Sequence, residues 1–257
     1  VVNIITKKKL KGTSGTLDIT GGNLEQTGNL SLNMSTGKFN ISAMGNYSRE
    51  RERTTSFLNR PNLNNGKQIG SLFQESDMLQ TTRRGSASLS AQYKIDSLQT
   101  LEAGYSYWTG SWPQKGGLFN RYTNADRYQE YRQKTEQKGT FNFSEWVLNY
   151  QKKFHREGQE LQLIGQASTA SDVSDYFTEQ YKPDGQLAFT ERGPNRSKEK
   201  EWSLQADYSH PFGKEGKASL ETGAKYLGNI SRSVYEVINS TLPVDPNRSG
   251  NMQYRQQ

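Results

Sequence analysis

The feature that most constrains this chain is a period of two. Leu30, Leu32 and Met34 are separated by Ser31 and Asn33, and Phe39, Ile41, Ala43 and Tyr47 share one parity, with Asn40, Ser42 and Asn46 on the other. Ala87, Leu89, Ala91, Tyr93 and Ile95 alternate with Ser88, Ser90, Gln92 and Lys94. The pattern returns at Leu101 to Tyr107, Trp146 to Tyr150, Leu161 and Leu163, Trp202 to Tyr208, and Ala218 to Tyr226. Successive side chains of an extended strand point to opposite faces, so each segment has one apolar and one polar face. No helical period of comparable length competes, and the repetition predicts about nine strands.

Composition decides what lies against those apolar faces. Hydrophobic residues are 31% of the 257. Leu, Ile, Val and Phe together are only about 18%, below the roughly 20% at which a water-soluble chain is suspected of disorder. Yet 14 tyrosines and 11% aromatics are unlike a disordered chain. A transmembrane β-barrel fits both facts, because it is apolar outside, wet inside and needs apolar side chains at alternate positions only. No run of about 20 apolar residues supports a helical span. The chain opens on Val1-Val2-Asn3 with no secretory leader pattern. The absence of cysteine removes disulfides and thiolate chemistry without fixing a compartment. The net charge of +7 is scattered among Glu and Asp, which argues against nucleic acid as a partner.

Connections fall into two kinds. Tight polar turns lie at Thr36-Gly37-Lys38, Asp96-Ser97-Leu98-Gln99, His155 to Gln159 and His210 to Gly216, while long loops are expected at about 56–81, 111–136, 175–197 and 239–250. They alternate, as in an antiparallel meander whose short turns face the periplasm and whose long loops face outward. Tyr93, Tyr150 and Tyr208 precede short turns on the apolar face, and Tyr47, Tyr107 and Tyr226 stand near its other end, as an aromatic girdle would. Leu89, Ala91, Leu148, Leu204 and Leu220 are expected to face lipid. The expected fold is therefore an all-β, antiparallel transmembrane barrel in the cell outer membrane.

Val1-Val2-Asn3-Ile4-Ile5-Thr6-Lys7-Lys8, followed by Lys11-Gly12-Thr13 and amphipathic strands, resembles the last plug strand of TonB-dependent outer-membrane receptors. The rest of the chain is similar to the N-terminal part of the receptor barrel in pattern rather than in residue identity. The resemblance implies that residues 1–11 are the last plug strand and linker and residues 12–257 the N-terminal portion of the barrel. That portion is about nine or ten of the roughly 22 strands of such transporters. A TonB box, an earlier plug and a closing aromatic-ended strand are not in the sequence, which makes a fragment of a longer receptor the expectation. The implied function is energy-coupled uptake of a siderophore, oligosaccharide or peptide, with the inner-membrane TonB complex engaged through the missing N-terminal part. A passive or structural barrel and a soluble all-β carbohydrate-binding protein are the competing readings.

Nothing in the sequence indicates an enzyme, a cofactor or a metal. His155 and His210 read as solvated turn residues. Asp245-x-Asn247-x-Ser249-Gly250 begins like a calcium loop but has Gln256 where a bidentate Glu is needed. Asp172 with Asp175 could form the carboxylate pair of a glycosidase, but a strand end rich in Ser and Asp is the commoner explanation. Trp112, Arg121, Tyr122, Arg127, Tyr128 and Tyr131 populate one expected loop, and Tyr176 and Tyr181 the next. Aromatics beside arginine can stack on a solute or simply pack loops together. Continuing the apolar parity past the girdle puts Arg49, Arg51, Arg53, Arg83 and Arg232 on the outside of the barrel, where they face lipopolysaccharide phosphates or are balanced by Glu50 and Glu52 across the sheet.

Overall fold

The computed structural model describes residues 12–212, 218–240 and 244–256. Residues 1–11, and with them the segment that resembles a plug strand, lie outside the described residues, as does the middle of the turn that begins at His210. The described chain is one antiparallel sheet: β1 Gly12–Gly21, β2 Glu25–Thr36, β3 Phe39–Asn64, β4 Lys67–Lys94, β5 Gln99–Ser111, β6 Gln114–Asn124, β7 Tyr128–Lys153, β8 Glu160–Tyr181, β9 Leu187–Phe212, β10 Ala218–Tyr235, β11 Ile238–Asn239 and β12 Gly250–Gln256. The spatial order is β1-β2-β3-β4-β5-β7-β8-β9-β10-β12. β6 continues β5 between β4 and β7, and β11 pairs with β9. The meander is all-β and fills ten strand positions, and no helix of the described residues is long and apolar enough to cross a membrane.

Register fixes the faces. One cross-strand row runs Met34, Ile41, Ala91, Ala103, Leu148, and a parallel one runs Phe39, Tyr93, Leu101, Tyr150, Leu163, Ala206, Ala224. All of these share the apolar parity, and Leu89, Leu148, Leu204 and Leu220 stand exposed on it. A packed aqueous core is missing: among the described residues Val237 is the one buried hydrophobic side chain. On β9 the apolar face runs from Phe212 to Trp202. Ten steps tilted by about 45° rise roughly 23 Å, close to the apolar band of a transmembrane barrel. Aromatic contacts mark its short-turn end, where Phe39 stacks on Tyr93 at 4.4 Å and His210 meets Phe212 edge-on at 5.0 Å.

The expected long loops are corrected. Three of the four are strand, with hairpin turns at 65–66, 125–127 and 182–186, and in the fourth the described residues 240 and 244–249 lie outside strands. β3 and β4 therefore extend far beyond the apolar band. Asn65 and Gly66 have φ of 48° and 77°, the left-handed pair that a two-residue hairpin with native twist requires. His210 is likewise corrected to a strand position, since it lies within β9.

Candidate ligand-binding surface

The long-hairpin ends of the strands raise a wall whose polar-parity face continues the polar face of the sheet. Its upper part is a ribbon of amides and hydroxyls. Gln74 Nε2 donates to Asn120 Oδ1 at 2.8 Å, Gln114 to Gln80 at 3.2 Å, Gln80 to Thr82 at 3.1 Å and Gln133 to Thr135 at 3.1 Å. Asn120 and Thr82 are only 5% and 8% exposed, so partners there are obligatory. Thr54, Ser56, Ser76, Gln114, Thr135 and Gln137 line a shallow pocket of about 220 Å³, with Gly116 leaving room at its floor. The bonds cited use only part of each amide's two donors and two acceptor lone pairs, so this wall can hydrogen-bond a polar solute.

Aromatic rings form a ledge on the same face. Trp108 meets Phe141 edge-on at 5.0 Å. Trp112 lies across Gly110 and Gly139, and Tyr176 lies across Gly193; a Cβ at Gly139 or Gly193 would strike the ring. Glycine inside a strand serves here to let a neighbouring ring lie flat. Tyr176 is fixed further, because its hydroxyl donates to Glu191 at 2.8 Å and Arg248 holds the same carboxylate. The Arg248 hydrogen bonds keep the Glu191 carboxyl below its usual range, against a smaller opposing effect of burial. Burial, and then the bond to Glu191, push the Tyr176 phenol up.

The structure divides the expected ligand residues. Tyr122, Tyr131 and Tyr176 have the polar-face parity, and Trp112, between β5 and β6, lies over Gly139 of the same parity. Arg121, Tyr128 and Tyr181 have the apolar-face parity: Arg121 sits over Phe73 at 5.5 Å, Tyr128 donates to Glu130, and Tyr181 donates to Glu179 at 2.9 Å with Lys134 over its ring. Arg127 is in the 125–127 turn. Residues Trp108, Phe141 and Phe143 belong to the ledge but escape a reading of period two, because they interrupt a face that is otherwise polar. The pocket residues escape it because they lie in stretches that read as loop; the glycines at 139 and 193 are the sequence signal for the ledge.

Arg49, Arg51, Arg53, Arg83 and Arg232 all hold apolar-face parity beyond the apolar band. Arg53 is engaged bidentately by Asp77 at 2.9 and 2.8 Å, while Glu50 is on the opposite face, 3.8 Å from Arg84. Asp175 pairs with Arg192, whereas Asp172 falls on the opposite face, so the two carboxylates do not form a pair. Among the described residues no group of three His, Asp or Glu is placed to hold a metal ion.

Residues 152–257 match the outer membrane protein beta-barrel family. Among solved structures the chain is similar to BauA, the ferric preacinetobactin receptor from Acinetobacter baumannii, at 10% identity and a TM-score of 0.29, over 95% of this chain and 43% of that one. The chain thus spans less than half of that receptor, and the superposition is too loose to carry a ligand or mechanism across. No curated protein matches the chain. The antiparallel meander, its membrane-width apolar face and the family match make the chain a partial transmembrane β-barrel of the outer membrane.

Proposed function

We propose that the chain forms the N-terminal part of the barrel of a receptor that takes up a scarce solute, energised through the inner-membrane TonB complex. In this reading residues 1–11 end the plug and residues 12–257 begin the barrel. The observation that carries it is the lumen-side wall above the membrane, where the Trp108–Phe141 and Trp112 ledge adjoins hydrogen-bonding amides and hydroxyls. Fixed flat rings beside polar groups suit a solute with apolar faces and hydroxyl or carbonyl edges, such as a siderophore, an oligosaccharide or a peptide.

Tyr176 and Glu191 extend the same wall along β8 and β9, and Arg248 ties the 244–249 connection to it. Two ordered hairpins and one tethered connection would then surround the solute. The test is the conductance of the whole protein in a planar bilayer. A plugged receptor conducts negligibly until the plug is deleted; steady ohmic current through the intact protein overturns the reading in favour of a passive pore.

A further inference from the structure

Three cations on the apolar-parity face above the band are ion-paired with an acid: Arg53 with Asp77, Lys115 with Glu136 and Arg192 with Asp175. Two cross-strand pairs bring like charges together instead. Arg49 stands directly opposite Arg83, and Lys198 directly opposite Arg232. Like charges facing each other across a sheet repel. No acid flanks either pair: Arg49 is flanked by Gln26, whose Oε1 accepts from its Nη1 at 3.5 Å, Arg83 by Ser111, Lys198 by Ser171, and Arg232 by Gln253. Lys200 adds a third cation beside Lys198, between Thr169 and Ile230. Arg49 Nε is buried with no hydrogen-bond partner among the described residues.

Each pair lies beyond an aromatic residue at the long-hairpin end of the apolar face. Arg49 follows Tyr47 on the parity of β3, and Lys200 and Lys198 follow Trp202 on β9. Below the second pair the apolar face is hollow. Gly165 and Ala224 leave a groove of about 620 Å³ walled by Leu148, Tyr150, Leu204 and Tyr226. Leu204 is four residues from Lys200 along one strand, about 13 Å at strand rise.

We propose that the two like-charge pairs, Arg49–Arg83 and Lys198–Arg232 with Lys200, are clamps for the phosphates of lipid A in the outer leaflet, and that the groove beneath the second takes one acyl chain. Guanidinium and ammonium donors at the headgroup level meet a dianionic phosphate, which removes the repulsion that the bare pairs carry. The apolar groove distinguishes a lipid from a free phosphate, and the outward-facing end distinguishes lipid A from a glycerophospholipid of the inner leaflet. The inference rests on the placement in the outer membrane and is independent of the uptake reading.

The whole barrel protein, purified in neutral detergent, is titrated with diphosphoryl lipid A, monophosphoryl lipid A, phosphatidylglycerol and phosphatidylethanolamine, with bound lipid read by native mass spectrometry. The variants Arg49→Gln with Arg83→Gln, and Lys198→Gln with Arg232→Gln, each lower affinity for diphosphoryl lipid A about tenfold, the size expected for losing a charge-assisted pair. Lys115→Gln, which removes an acid-paired cation on the same face, leaves it within about twofold. Because each clamp variant relieves repulsion, its thermal midpoint without lipid is unchanged or raised, which separates lost binding from lost folding. Equal affinity of variant and parent for diphosphoryl lipid A, or binding of phosphatidylglycerol as tight as that of lipid A, overturns the proposal.

Discussion

At the scale of single residues, the decisive device is a glycine placed under a ring. Gly139 lets Trp112 lie flat against β7, and Gly193 does the same for Tyr176 on β9. Gly139→Val is expected to displace Trp112 and to cost about 1–3 kcal/mol of stability by overpacking. Gly117→Ala, whose Cβ meets only a carbonyl oxygen at 3.8 Å, is expected to be tolerated. Thermal unfolding of the whole protein, followed by tryptophan fluorescence, compares the two. A second residue-scale expectation concerns Glu191, which binds the Tyr176 hydroxyl at 2.8 Å and an Arg248 nitrogen at 3.1 Å. Its folded carboxyl titrates below the unfolded value of about 4.3. The tether is thus fully present above that unfolded value and is lost as pH falls through the lower folded one. The protection of amides in residues 244–249, taken as exchange relative to the intrinsic rate at each pH, should stay high at neutral pH and fall only below about pH 4. Glu191→Gln should give low protection throughout; a parent loop that loses protection near pH 6 contradicts the assignment.

At the scale of the strand, a comparison of two stretches of β3 explains what can be read from sequence. Between Phe39 and Tyr47 the environment differs on the two faces, so residue type alternates and the strand is legible. From about residue 56 the alternation breaks down, since Phe57 and Leu58 are adjacent and Asn59 and Arg60 follow, and the same strand reads as loop although its ladder with β4 continues. The Trp112-Pro113 step misleads in another way. Proline in a central strand argues against strand, yet only its own donor is lost, because Thr81 N still donates to Pro113 O at 3.0 Å and Trp112 N to Gly139 O at 3.0 Å. The candidate site was half legible for the same reason: its aromatics are conspicuous, but which face they take depends on strand parity in stretches that read as loop. The parity of the membrane segment is itself testable. Leu89→Arg places a charge against lipid at a cost of about 2–4 kcal/mol, whereas Ser88→Arg points it at the lumen. Outer-membrane assembly, measured by the heat-modifiable mobility of the whole protein, should fall for the first and not the second.

At the scale of the whole molecule, the described sheet has two free edges. β1 pairs only with β2, and β12 only with β10, so one side of each carries unpaired backbone donors and acceptors. Leu17 and Ile19, 66% and 76% exposed, show that β1 is built for lipid contact on its apolar face. Backbone groups unpaired in hydrocarbon cost several kcal/mol each, which no side-chain contact on one edge strand offsets. Further strands of a wider barrel would satisfy them. Refolded alone into lipid vesicles, the 257-residue polypeptide should therefore stay sensitive to added protease along β1 and β12 or associate edge to edge into oligomers. The whole protein under the same conditions should protect both segments. A monomeric 257-residue polypeptide whose β1 and β12 resist protease in vesicles would require the two edges to meet, and would replace the partial barrel by a closed one of ten strand positions.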